Sequence, residues 1–180
     1  MAEEMRLTKL ERMMLINQLR ILEALYPDEA PELSRQREAF ERGYEILYAW
    51  DTDYVYDGDD VMTAEESREV WDTMDMFDAI NRATSDEFVN PDSSFTKFAG
   101  YDGNNEGKFM GFAQFTVERL RRFEYLPMLK PGYWNSHMPM RDIYGRMLEA
   151  WKQIPAEQRS DMTAEQLQQV LAAAVHPENR

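Results

Sequence analysis

Residues 7–27, LTKLERMMLINQLRILEALYP, decide the fold of this chain. Apolar side chains recur there at intervals of three and four, the period of an amphipathic helix and not the alternation of a strand. Thr8 stands ahead of the run and Glu11 follows three residues later, the spacing of a capping box, in which each side chain satisfies an amide of the first turn. Pro27 lacks the N–H needed to continue a helix. The spacing predicts a helix that stops before Pro27 and turns Leu10, Met14, Leu22 and Leu25 inward.

The same grammar repeats along the chain. A second helix is expected from Glu32 to Trp50, with Leu33, Phe40, Tyr44 and Leu47 inward. Thr63 and Glu66 form the next capping box. The helix they open carries Val70, Met74 and Phe77 on one face and Glu65, Glu69 and Asp72 on the opposite one. Residues 85–103 lack a period, contain Pro91, and read as a long loop. A fourth helix holds Phe109, Phe112, Ala113, Val117 and Leu120, after which the chain turns at Pro131-Gly132. The fifth has the cleanest stripe (Met140, Ile143, Tyr144, Met147, Leu148, Trp151) and is stopped by Pro155. The last follows a third capping box, Thr163 with Gln166, and turns Leu167, Val170, Leu171 and Ala174 inward. No strand pattern or repeat interrupts the series. The expected fold is all-α, about six helices, with an acidic N-terminal part over residues 1–90 and a C-terminal part over 91–180 joined as one compact unit.

Composition narrows the function classes. A chain of 180 residues that is 43% hydrophobic can bury a sizeable core. It has no cysteine, which excludes disulfides, zinc–thiolate sites and thiol nucleophiles. The N-terminal MAEEMRLTKL carries two acids and two bases and lacks an apolar run, and no stretch approaches the roughly 20 apolar residues of a membrane span. A soluble cytoplasmic protein without a membrane partner is expected. Residues 1–90 hold 23 acids and 9 bases, while residues 91–180 hold 11 of each, so the whole net charge of -14 lies in the first half. Residues 51–78 alone carry 11 acids against Arg68. Such a surface repels phosphate backbones, making nucleic acid an unlikely partner and a basic protein docking on residues 51–78 a candidate one. The compact basic cluster, Arg119, Arg121 and Arg122, has a plainer role in complementing a helix C-terminus.

Few residues point to chemistry. The stretch DTDYVYDGDD, residues 51–60, suggests a calcium loop, but aligning Gly58 to the loop glycine puts Val55 and Ala64 where ligands belong. It reads instead as the acidic lead-in to the helix after Thr63. Glu65, Glu69 and Asp72 form a carboxylate row, yet no glutamate-x-x-histidine pair accompanies it, and a solvated face is expected. His137 and His176 lie near prolines without a nucleophile motif, and no glycine-rich phosphate loop occurs. No metal, cofactor or catalytic residue is expected. The 13 methionines allow an adaptable groove, but Met74, Met140 and Met147 fall on core stripes.

The segment FAGYDGNNEGKFMGFAQF, residues 98–115, resembles a signature of the YfbU family, and RLTKLERMMLINQ, ERGYEILY, PMRDIYGRMLEAW and MTAEQLQQVL extend the resemblance over nearly the whole chain. It implies an all-α fold of a helical hairpin plus a second helical part and carries no assigned catalytic residue. The matching positions are Phe98, Gly100, Tyr101, Asp102, Glu106, Phe109, Gly111, Phe112 and Phe115, with Arg42, Gly43 and Tyr44 in the second-helix motif. Gly107 lies four residues before Gly111. Because each glycine costs about 1 kcal/mol in a helix interior, the pair is expected to admit a neighbouring helix. The expectation that follows is a non-enzymatic, self-associating module that binds protein as a homo-oligomer. The rival is a small-molecule binder or hydrolase using Tyr101, Asp102 and Glu106 with Arg42 or Tyr44 in one pocket. The two differ in whether those carboxylates line a pocket or cap a helix.

Overall fold

The computed structural model describes residues 6–48, 55–56, 58–84, 95–176 and 178. Asp51, Asp53 and Asp57 of the acidic stretch and residues 85–94 of the expected loop lie outside them. Among the described residues the fold is all-α: α1 (Lys9–Leu25), α2 (Ala30–Arg42), α3 (Ala64–Thr84), α4 (Gly107–Glu118), α5 (Arg141–Gln153) and α6 (Ala164–Ala173). All three capping boxes form. Thr8 and Thr163 accept from the N3 amides while Glu11 and Gln166 reach back. Thr63 and Glu66 do the same ahead of α3, at 3.1 and 2.9 Å.

The chain divides into two compact units, Met1–Gly58 and Asp59–Arg180. The sequence reading put the boundary near residue 90 and grouped α3 with the N-terminal part. Instead Val70, Met74, Met76, Phe77 and Ile80 of α3 belong to one core with Phe109, Tyr144, Met147, Leu167 and Val170. An apolar stripe this long joins whichever elements cover it, whatever the local charge.

In the first unit α1 and α2 form a helical hairpin. Leu19, Phe40 and Tyr48 make its core, flanked by the partly buried Leu7, Leu15, Ile16 and Leu33, and the Phe40 and Tyr48 rings stack at 4.9 Å. The α1 face expected to be inward is outward: Leu10 is 61% exposed, Met14 55% and Leu25 64%. The helix carries two apolar stripes, and the one with Leu15, Ile16 and Leu19 meets α2. The second helix is also shorter than expected. Gly43 adopts φ +75 as its left-handed C-cap, donating to Ala39, and a 3₁₀ turn over Glu45–Leu47 follows. Tyr44, expected inward, is half exposed.

The second unit holds the large core. Met74, Phe77, Met147 and Leu167 are fully buried, on the faces their spacing predicts. Leu120, expected inward, is half exposed because α4 ends at Glu118. The carboxylate row on α3 is no free solvated face. Glu69 pairs with Arg141 at 2.8 Å and Asp72 with Lys152 at 2.5 Å, so the row ties α3 to α5. Arg146 donates to the carbonyls of Ala173 and Ala174, closing the C-terminal end of α6.

Candidate functional site

The signature segment and the loop before α5 run beside each other. Phe98 N–H donates to Pro127 O at 2.7 Å and Leu129 N–H to Phe98 O at 2.8 Å; Tyr101 N–H donates to Trp134 O and Ser136 N–H to Tyr101 O, both at 3.0 Å. These isolated parallel bridges need Gly100. Its φ is +86, and a Cβ there would lie 1.9 Å from Trp134 O. Gly103 is similarly close to Asn135, whose Nδ2 would stand 2.7 Å from an added Cβ.

Behind the bridges, aromatic rings fill the core. Phe98 stacks on Tyr144 at 5.6 Å and meets Phe77 edge-on at 5.5 Å, while Tyr101 contacts Tyr144 and Phe109 at 5.5 and 5.8 Å. The Tyr144 hydroxyl accepts from Ala99 N–H and donates to Gly100 O. Burial pushes both the Tyr101 and Tyr144 phenols well above their ordinary range, so neither ionises near neutral pH.

Glu106 is the pivot. It is 5% exposed, and three backbone amides point at its carboxylate. Oε2 accepts from Asp102 N–H at 3.0 Å, Oε1 from Arg141 N–H at 2.9 Å, and both oxygens from Met140 N–H. Met140 and Arg141 are the N-cap and first residue of α5, where unpaired N–H groups and the positive dipole end favour a carboxylate. Glu106 is the N-cap residue of α4, makes no side-chain bond there, and caps α5 instead.

Asp102 folds back on its own turn. Its oxygens accept from Asn104 N–H at 3.1 Å and from the Asn105 side-chain amide. The Asn105 and Asn104 donors hold its pKa below the usual carboxylate range. Arg141 completes the junction, with its guanidinium bidentate to Glu69 and 3.9 Å from the centre of the Phe109 ring. Both signature carboxylates therefore spend their oxygens on donors of the fold, an arrangement that clamps helix starts together and presents no poised base.

The remaining candidates divide between the units. Tyr101, Asp102 and Glu106 are brought together in the second, and Arg42 and Tyr44 lie in the first, where Arg42 pairs with Glu38 at 2.7 Å. Phe98 and Phe109 are buried, Phe112 is partly so, and Phe115 is half exposed. Among the described residues Gly107 and Gly111 do not admit a neighbouring helix: a Cβ on either would have nothing within 4 Å. Close approach falls at Gly100 and Gly103. Of the acidic residues after position 58, Glu66, Glu69, Asp72 and Asp78 are paired with Lys108, Arg141, Lys152 and Arg82, which weakens the field available to a basic partner. His137 lies exposed with its Nε2 2.5 Å from the Tyr133 hydroxyl. No group of three or more His, Asp or Glu side chains could hold a metal among the described residues. No described helix is long and apolar enough to cross a membrane.

Sequence reasoning missed Arg141. Its signal was a misfit: a cation in the first turn of α5 opposes the helix dipole and must find compensation elsewhere.

A family model described as the YfbU domain matches residues 5–173. The chain is also 30% identical over 175 residues to UPF0304 protein MJECS11 of Methanocaldococcus jannaschii, an alignment covering 93% of this chain and 99% of that protein.

Proposed function

This chain belongs to the YfbU family, and we propose that it is a non-enzymatic protein-binding module that associates with itself. The observation that carries the reading is the second apolar stripe of α1. Leu10, Met13, Met14, Ile21, Leu22 and Leu25 of this 17-residue helix, with its C-cap Tyr26, are each between 36% and 64% exposed. Single exposed apolar residues are ordinary, but a contiguous stripe of them marks an interaction surface. The signature carboxylates support the non-enzymatic side of the reading, since their oxygens already accept from backbone and amide donors.

Light scattering on the intact chain tests it. We expect a mass above 21.3 kDa that falls to that value in the double substitution Met14→Glu, Ile21→Glu, with the helical circular dichroism unchanged. A wild-type chain that stays at 21.3 kDa at high concentration would overturn self-association.

A further inference from the structure

The outward stripe of α1 is interrupted at its centre by two amides, a placement that its helical period does not require. Leu10 and Leu25, Met13 and Leu22, Met14 and Ile21, and Asn17 and Gln18 are pairs equidistant from the point between Asn17 and Gln18. The apolar members are exposed and the two amides sit exposed at the centre. An antiparallel second copy would therefore set apolar against apolar at every step, with amides meeting in the middle. That is the self-complementary pattern of a two-fold, isologous interface.

Charge chooses the direction. Among the described residues Arg6, Lys9 and Arg12 outnumber Glu11 at the start of α1, and Asp28 and Glu29 lie in the turn beyond its end. Antiparallel pairing brings the basic end of one copy to the acidic turn of the other. Parallel pairing sets like against like at both ends and aligns the two helix dipoles. The area is also sufficient. At roughly 100 Å² of apolar surface for each half-exposed side chain, seven give about 700 Å² per copy, close to the ~800 Å² per partner of a standard specific interface. Resting on the self-association proposed above, we infer that two copies of this chain pair antiparallel along α1, about a two-fold axis between Asn17 and Gln18.

The absence of cysteine makes the test clean, because any thiol introduced is the sole thiol. Three full-length variants are needed: Leu10→Cys, Leu25→Cys and Gln18→Cys, each checked by light scattering and then treated with a short bismaleimide. An antiparallel pair gives a cross-linked dimer from Gln18→Cys alone. It gives at least tenfold more dimer from mixed Leu10→Cys and Leu25→Cys than from either alone. Cross-linking of Leu10→Cys alone and Leu25→Cys alone as efficiently as the mixture means a parallel pair and overturns the geometry while leaving self-association standing. A dimer by mass that cross-links in none of these combinations means another surface and also overturns it. A monomer by mass overturns both readings at once.

Discussion

The two units bury apolar surface by opposite means. In Asp59–Arg180, Phe77, Phe98, Tyr101 and Tyr144 form a closed aromatic cluster beneath two loops, and α3 loses its whole apolar face to α4, α5 and α6. In Met1–Gly58 the core cluster is Leu19, Phe40 and Tyr48, and the more apolar side of α1 stays outside it. Ion pairs trim the hairpin, with Arg37 reaching Glu23 at 2.7 Å and Glu41 at 2.8 Å, but pairs that stay partly solvated contribute little. One unit is finished by its own residues. The other leaves an apolar stripe exposed, and a two-helix element with so small a core has the most to gain from a covering surface, as the proposed pairing would supply.

The sharpest way to break this comparison is at Gly100. Alanine there meets both a left-handed φ and a carbonyl 1.9 Å away, so the loop bridge must open. We expect a loss on the order of 4 kcal/mol or more, seen as collapse of near-ultraviolet circular dichroism from the aromatic cluster. Wild-type melting in Gly100→Ala would mean that the bridges do not hold the second unit together. Next comes Glu106→Ala, which leaves buried amides of Asp102, Met140 and Arg141 without an acceptor. About 3 kcal/mol is expected by chemical denaturation, since unsatisfied buried donors carry their full desolvation penalty. A variant with lost stability below 1 kcal/mol would sink the clamp.

Hydrogen exchange compares the units directly. Amides of α1 should be at least tenfold less protected than those of α5 in dilute solution, because local opening of the hairpin exposes few buried contacts. Raising the protein concentration should slow α1 and leave α5 unchanged. Equal protection at every concentration would erase the contrast. A smaller effect of opposite sign belongs to Gly111→Ala on α4. With nothing within 4 Å of its Cβ, the substitution should stabilise by roughly 0.5–1 kcal/mol through helix propensity alone. A fall in melting temperature would restore the packing role that the sequence suggested.

Which parts of this were legible in the sequence depends on the range of the interaction. Helix starts were local: Thr8–Glu11, Thr63–Glu66 and Thr163–Gln166 announce themselves within four residues, and each capping box forms where its spacing put it. The end of α2 was local too, but Tyr44 and Leu47 kept the helical period going past Gly43, and the left-handed glycine won. Choosing between the two stripes of α1 was beyond periodicity, because both fit 3.6 residues per turn. The signature was legible as a cluster of residue types and not as a mechanism. Nothing near Glu106 says that its carboxylate will find amides 34 and 35 residues away, and nothing near Gly100 announces Trp134.

The smallest effect tests the acidic side of α3. Asp72, Asp75 and Asp78 stand one turn apart; Asp72 pairs with Lys152 and Asp78 with Arg82, whereas Asp75 has no ion pair among the described residues. Desolvation first, and then the charges of Asp72 and Asp78, raise its pKa above the ordinary aspartate value, with Arg82 and Arg68 opposing. A carboxyl whose folded pKa is raised binds its proton more tightly in the native state. Its charge therefore works against folding at neutral pH, and that penalty is relieved as pH falls through the folded pKa toward the unfolded value near 3.9. Asp75→Asn should accordingly raise the melting temperature at pH 7. With the side chain partly solvated, screening limits the gain to a few tenths of a kcal/mol. The gain should vanish below about pH 3.5, where both native and unfolded wild-type chains carry the protonated acid. Glu66, held below its ordinary range by Lys108 and the Thr63 amide, has the opposite sign, so Glu66→Gln should lower the melting temperature at pH 7 and lose its effect in acid. If the two substitutions shift stability in the same direction at neutral pH, this electrostatic account of α3 fails.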